Sequence, residues 1–139
     1  MNYYTEIEPF SKKNDVLSKL KKFNPEIITN DDDMIEIKIM SNYSEELWIE
    51  ISTEFSIFLG DWHSHYFAHI GEYYRFLDDL LGILENKKSI RCAYTGEHWC
   101  ASDLAMSSEV NQDEIIERFG NDKTIKCSFW DKSKNFVIN

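Results

Sequence analysis

From Leu47 to Leu59 every second residue but one is apolar: Leu47, Ile49, Ile51, Phe55, Ile57 and Leu59, with Thr53 the exception. Alternation of this kind gives extended chain one apolar and one polar face. A three-residue turn at Ser52-Thr53-Glu54 pairs Ile51 with Phe55, Ile49 with Ile57 and Leu47 with Leu59, so that all six apolar side chains share a face. A two-residue turn pairs Ile49 with Ser56 and mixes the faces. The segment therefore reads as two strands and a tight hairpin, with one long bent strand as the alternative. The apolar face of such a hairpin must be covered, and helices are the usual cover.

The rest of the chain supplies both partners and cover. Ile35, Ile37 and Ile39 alternate with Glu36 and Lys38 between Met34 and Met40, which predicts another half-buried strand. Ile90, Cys92 and Tyr94 begin a second hairpin, with a turn at Gly96-Glu97 that pairs Tyr94 with Trp99 and Cys92 with Ala101. Ile125, Cys127 and Phe129 mark a further inner strand face, and Phe136-Val137-Ile138 closes the chain after a turn at 131–135.

Three segments read as helices. Val16, Leu17, Leu20 and Phe23 share a face over residues 11–23, which Asn24-Pro25 ends. Ile70, Tyr73, Tyr74, Leu77, Leu80, Leu81 and Leu84 keep helical spacing over residues 69–86, with Asn86 as the stop. Asn111 with Glu114 three residues later is a capping box, opening a short helix that stops at Gly120. The expectation is one α+β domain over residues 1–139. It has a mainly antiparallel sheet of six to seven strands with one long and two short helices packed on it.

Charge narrows the partners. Lys and Arg number 15 against 25 Asp and Glu, a formal net charge of −10, so nucleic acid and anionic membrane surfaces are disfavoured and cationic partners favoured. The start of the chain, Met1-Asn2-Tyr3-Tyr4-Thr5-Glu6, lacks the basic and apolar regions of a secretion signal, and no apolar run is long enough to span a bilayer. Cys92, Cys100 and Cys127 form no CxxC and read as reduced thiols packed in a core, which points to the cytoplasm.

Chemistry-bearing residues gather in Gly60-Asp61-Trp62-His63-Ser64-His65-Tyr66-Phe67-Ala68-His69, followed by Glu72. Histidines two apart on extended chain project to the same side, so His63 and His65 can share a metal, with His69, Glu72, or His98 and Cys100 from elsewhere as the source of a third ligand. In that reading the ion is zinc, and Glu54 or Glu50 is the base of a metal-dependent hydrolase. Gly60 to His65 resembles the core of the JAMM metalloproteases, in which two histidines bind zinc and a Ser and an Asp follow at fixed spacing. Those positions here hold Tyr73 and Phe76, so the resemblance stops at the two histidines. The cupin pattern also begins with His-x-His, but Glu72 lies too far along to fit it.

The other reading is a binding surface. Trp62, Tyr66, Phe67, Tyr73 and Tyr74 cluster near the histidines, and Trp48, Phe58 and Trp130 fall on strand positions opposite the apolar faces. Aromatics among carboxylates (Asp61, Glu50, Glu54 and Glu72) suit a cationic protein. Glu54-Phe55-x-Ile57-x-x-Gly60-x-Trp62-His63-x-His65-Tyr66 followed by a long amphipathic helix resembles small cytosolic proteins of Gram-positive bacteria, some similar to immunity proteins encoded beside polymorphic toxins. The resemblance implies a small, acidic, non-enzymatic α+β protein that needs no cofactor and blocks a basic toxin domain by binding it. The residues expected to carry that role are Asp61, Trp62, His63, His65, Tyr66 and Glu72.

Overall fold

The computed structural model describes residues 2–139. They form an α+β fold with two antiparallel sheets, of five and four strands. The single sheet of six to seven strands expected from the sequence is thus corrected to nine strands in two sheets. The chain divides into two compact units, one up to Leu81 and one from Gly82, each carrying one sheet.

The first unit opens with a helical run. A 3-10 turn at Pro9–Lys12 leads into α1 (Lys13–Leu20) and a second 3-10 turn at Lys21–Phe23. Val16 and Leu20 are fully buried, and Asn24 stops the run in the left-handed conformation at φ 55°. The strands follow as a meander: β1 (Glu26–Asn30), β2 (Ile35–Met40), β3 (Glu46–Ile51), β4 (Phe55–Leu59) and β5 (Trp62–Tyr66), each hydrogen-bonded to the next.

The central hairpin has the register that shared burial requires, with Leu47 opposite Leu59, Ile49 opposite Ile57 and Ile51 opposite Phe55. Ile35, Ile37 and Ile39 extend the same buried face across β2. Two strands were not anticipated. β1 lacks alternation because it is an edge strand with a bulge between Ile27 and Thr29, which leaves Ile27 and Ile28 exposed. β5 points Trp62, Ser64 and Tyr66 inward, and the serine interrupts the apolar signal.

The long helix α2 (Ile70–Leu84) crosses the boundary between the units. Its start lies against the first sheet's inner face. Phe76 stacks on Phe55 at 4.9 Å between ring centroids and meets Tyr66 edge-on at 5.6 Å. The buried stripe is Tyr73, Phe76, Leu77, Leu80, Ile83 and Leu84, whereas Tyr74, expected on that face, is exposed. The phase differs because inward rings on β4 and β5 draw Phe76, not Tyr74, into the core. Asn86 ends the helix as expected. At φ 60° it lets its own N–H reach the Ile83 carbonyl and lets the Lys87 N–H reach that of Gly82. These are the two bonds of a Schellman cap.

The second unit contains β6 (Lys88–Thr95), β7 (His98–Met106), α3 (Gln112–Phe119), β8 (Thr124–Ser128) and β9 (Phe136–Ile138), with sheet order β7-β6-β8-β9. Tyr94 pairs with Trp99 as expected. The pairing then slips by one residue around Cys100, so Cys92 meets Ser102 and not Ala101. Asn111 caps α3 by accepting from the Glu114 N–H at 3.1 Å. Ile115 of α3 packs with Ala93, Ile125, Cys127 and Ile138 of the sheet. Cys92 and Cys127 are buried as expected, and burial pushes the Cys127 thiol up to about 11. Cys100 is exposed, which corrects its assignment to the core. Among the described residues no helix is long and apolar enough to cross a membrane.

Candidate functional site

The outer face of the five-stranded sheet follows from the same alternation that builds its core. Where odd positions of β3 and β4 point in, even positions point out. Cross-strand pairing therefore lines up Lys38, Trp48, Phe58 and His63 in one row from β2 to β5, and Glu36, Glu50, Ser56 and His65 in the next. Trp48 and Phe58 are half-buried, and His63 and His65 are exposed.

The first row is held by ring contacts. The Lys38 ammonium lies 5.8 Å from the Trp48 ring, and the indole N–H of Trp48 donates to Glu46 at 3.3 Å. Phe58 stacks on His63 at 6.0 Å and meets His65 edge-on at 5.9 Å, and the two histidine rings are 5.3 Å apart. Glu46, Glu50 and Glu54 border the rings. Lys38 is the one cation of these two rows, and it is 3.5 Å from Glu26 and 4.0 Å from Glu46. The result is an aromatic strip with a carboxylate margin.

His65 is anchored to this face through one ring nitrogen. Its Nδ1 is 2.9 Å from Glu54 Oε1 and 2.8 Å from Ser56 Oγ. A serine, a histidine and a carboxylate suggest nucleophilic catalysis, but the geometry opposes it. A histidine that activates a nucleophile is oriented through one ring nitrogen and takes the proton on the other. Here both neighbours meet the same nitrogen, and Ser56 is only 3% exposed. The arrangement fixes the ring rather than relaying a proton.

The ligand set His63, His65 and His69 is not assembled. His69 lies just before α2, with its ring 5.1 Å from Tyr3 and 5.4 Å from Tyr4, and its Nδ1 accepts from the Glu72 N–H at 3.4 Å. Among the described residues no group of three or more His, Cys, Asp or Glu side chains is placed to hold a metal ion. Glu50, one of the two candidate bases, accepts a hydrogen bond from Ser52.

The six expected binding residues separate into two sets. Asp61, His63 and His65 are exposed, Asp61 in the β4–β5 turn. Trp62, Tyr66 and Glu72 are buried and serve the interior instead. The expectation that the segment before α2 is a turn placed all six together. As strand β5 it sends alternate residues to opposite faces. Glu46 and Ser56 were overlooked in the sequence, and cross-strand alignment of Ser56 with His65 was the signal that identifies the second.

Glu72 has a structural task. Its carboxylate accepts from Arg75 Nε at 2.6 Å, from Arg75 Nη2 at 3.1 Å and from the Tyr3 hydroxyl at 3.2 Å. The Arg75 guanidinium lies 4.7 Å from the Tyr66 ring, whose hydroxyl donates to Asp79 at 2.6 Å. The bonds from Arg75 hold the Glu72 carboxyl below the usual carboxylate range, and burial opposes them. A folded pKa below the unfolded one adds stability that is present above the unfolded value and lost as pH falls through the folded value. Unfolding free energy is thus expected to drop on acidification below the usual carboxylate range. Glu72→Gln should flatten that part of the profile and cost about 1–2 kcal/mol at neutral pH. Parallel urea-denaturation profiles for the two proteins would contradict this role.

Compared with protein-family models, curated proteins and solved structures, the chain matches none.

Proposed function

We propose that this chain is a non-enzymatic protein-binding domain, an immunity protein that neutralises a toxin domain in the cytoplasm. The outer face of its five-stranded sheet covers a basic surface of that toxin. The observation that carries the reading is the row Lys38, Trp48, Phe58, His63, with three aromatic rings aligned across adjacent strands on a surface that water reaches. Solvent faces of sheets are ordinarily polar. Aligned, partly exposed aromatic rings are typical anchors of protein interfaces, where truncation of a few residues removes most of the affinity.

Charge gives the partner its sign. Glu36, Glu46, Glu50 and Glu54 accompany the strip, and the whole chain carries a formal −10. An acidic face speeds encounter with a basic partner, and rings excluded from water on contact hold it. A toxin that acts on nucleic acid has a basic site for its substrate, and a carboxylate-rich face laid over that site excludes the substrate without chemistry.

Co-expression with the product of the neighbouring gene tests this. The expected outcome is restored growth of the host and a complex that survives gel filtration and weakens with added salt. Absence of both complex and protection would remove the reading.

A further inference from the structure

A second feature of the first unit lies away from the aromatic strip. The segment before α1 is strapped along the connection from β5 to α2. The Ile7 N–H donates to the Ala68 carbonyl at 3.0 Å, the Ile70 N–H to Thr5 at 2.9 Å and the Gly71 N–H to Tyr3 at 3.0 Å, with a β-bridge between Glu6 and His69. Between this strap, the β3–β4 turn and the β5–α2 connection lies an open cleft of about 470 Å³, within the range of ligand sites. Glu6, Glu8, Pro9, Thr53, Phe67 and His69 line it, and no lysine or arginine does.

Two properties of this lining point to a ligand. Phe67 is 67% exposed, with its ring 6.3 Å from that of His69. Glu6 and Glu8 are exposed, and neither carboxylate has a side-chain partner among the described residues. Glu8 precedes the first helical turn without capping it. An uncovered aromatic ring beside unpaired carboxylates, with no cation in the lining, is half of a recognition site for a cation carried on a flat, partly apolar group.

We propose that this cleft receives an arginine side chain of a partner polypeptide, the guanidinium lying on the Phe67 ring and donating to the Glu6 and Glu8 carboxylates. A guanidinium stacks on aromatic faces and forks onto carboxylates, whereas an ammonium, compact and strongly hydrated, does the first less well. The chain uses this combination within itself. Arg75 lies 4.7 Å from the Tyr66 ring while paired through two nitrogens with Glu72. Arg91 lies 5.5 Å from the Phe119 ring while paired with Asp103 at 2.7 Å through each of two nitrogens. The cleft offers the aromatic and acidic halves of that arrangement and lacks the arginine. This inference goes beyond the sheet-face reading and does not depend on it.

Two-dimensional NMR titration of the full chain with a blocked Ala-Arg-Ala tripeptide tests it, with the citrulline and lysine tripeptides and free arginine as parallel arms. The arginine tripeptide is expected to shift the amide signals of Glu6, Glu8, Thr53, Phe67 and His69. Phe67→Ala and Glu8→Gln, both at exposed positions that the fold does not need, should each weaken binding about threefold. Lysine should bind more weakly and citrulline not at all. Free arginine should also bind more weakly, because its own carboxylate meets Glu6 and Glu8. No response at these residues, or an equal response to citrulline, would overturn the proposal. Free arginine binding as tightly as the tripeptide would overturn the polypeptide source. The sheet face is tested with other variants, so either reading can fail alone.

Discussion

Phe76→Ala is expected to cost about 3–5 kcal/mol of unfolding free energy, the range for a buried aromatic removed from a packed core. Phe76 is fully buried, stacks on Phe55 at an interplanar angle of 24° and meets Tyr66 edge-on. Tyr73 lies 6.4 Å away and donates its hydroxyl to Asp15 of α1. One side chain therefore connects β4, β5 and α2. Its loss removes apolar burial and leaves a cavity that rigid aromatic neighbours fill poorly. Domains of this size are stable by about 5–15 kcal/mol, so the variant should be marginal at body temperature. Tyr74→Ala, two residues earlier and exposed, should stay within about 0.5 kcal/mol of the parent. Urea denaturation followed by circular dichroism measures both. A lower midpoint for Tyr74→Ala than for Phe76→Ala would mean that the helix packs with Tyr74, not Phe76, toward the sheet.

That contrast shows what the sequence discloses. The register of the β3–β4 hairpin was legible because a period of two leaves one arrangement with all six apolar residues together. The caps at Asn86 and Asn111 were legible because each is a local device, set by residues within one turn of helix. The phase of α2 was not. Phe76 and Tyr74 are both large and aromatic, and only the rings waiting on β4 and β5 decide between them. The edge strand β1 lies beyond periodicity for a similar reason: its bulge breaks the alternation by which strands are recognised. Two sheets in place of one could not be read either, since alternation identifies strands but not which of them pair across a helix.

For the candidate site the sequence identified the neighbourhood and missed its geometry. His63 and His65 do project to one side, as residues two apart on extended chain must. Trp62 and Tyr66 belong to the other side by the same rule, because the segment is a strand and not a turn. Trp48 and Phe58, identified from the hairpin as facing away from the core, prove to be the centre of the strip. Side-chain period located the residues within each strand, and pairing between strands set them in a row.

On the proposed sheet-face interface, Trp48→Ala should weaken binding of a toxin partner by at least about thirtyfold, the loss of about 2 kcal/mol or more that marks an interface anchor. The indole is half-buried on the outer face, lies under Lys38, donates to Glu46 and pairs across the strands with Phe58. It lies outside the core, which on β3 is Leu47, Ile49 and Ile51, so only a small drop in the unfolding midpoint should accompany the loss. Phe58→Ala should behave alike. Val137→Ala, at an exposed position of β9 in the second unit, should change nothing. Isothermal titration of the co-expressed partner against the parent, Trp48→Ala and Val137→Ala tests the claim most directly. The sheet-face account predicts that affinity collapses for Trp48→Ala alone, while both variants stay folded. Undiminished affinity of folded Trp48→Ala would contradict it.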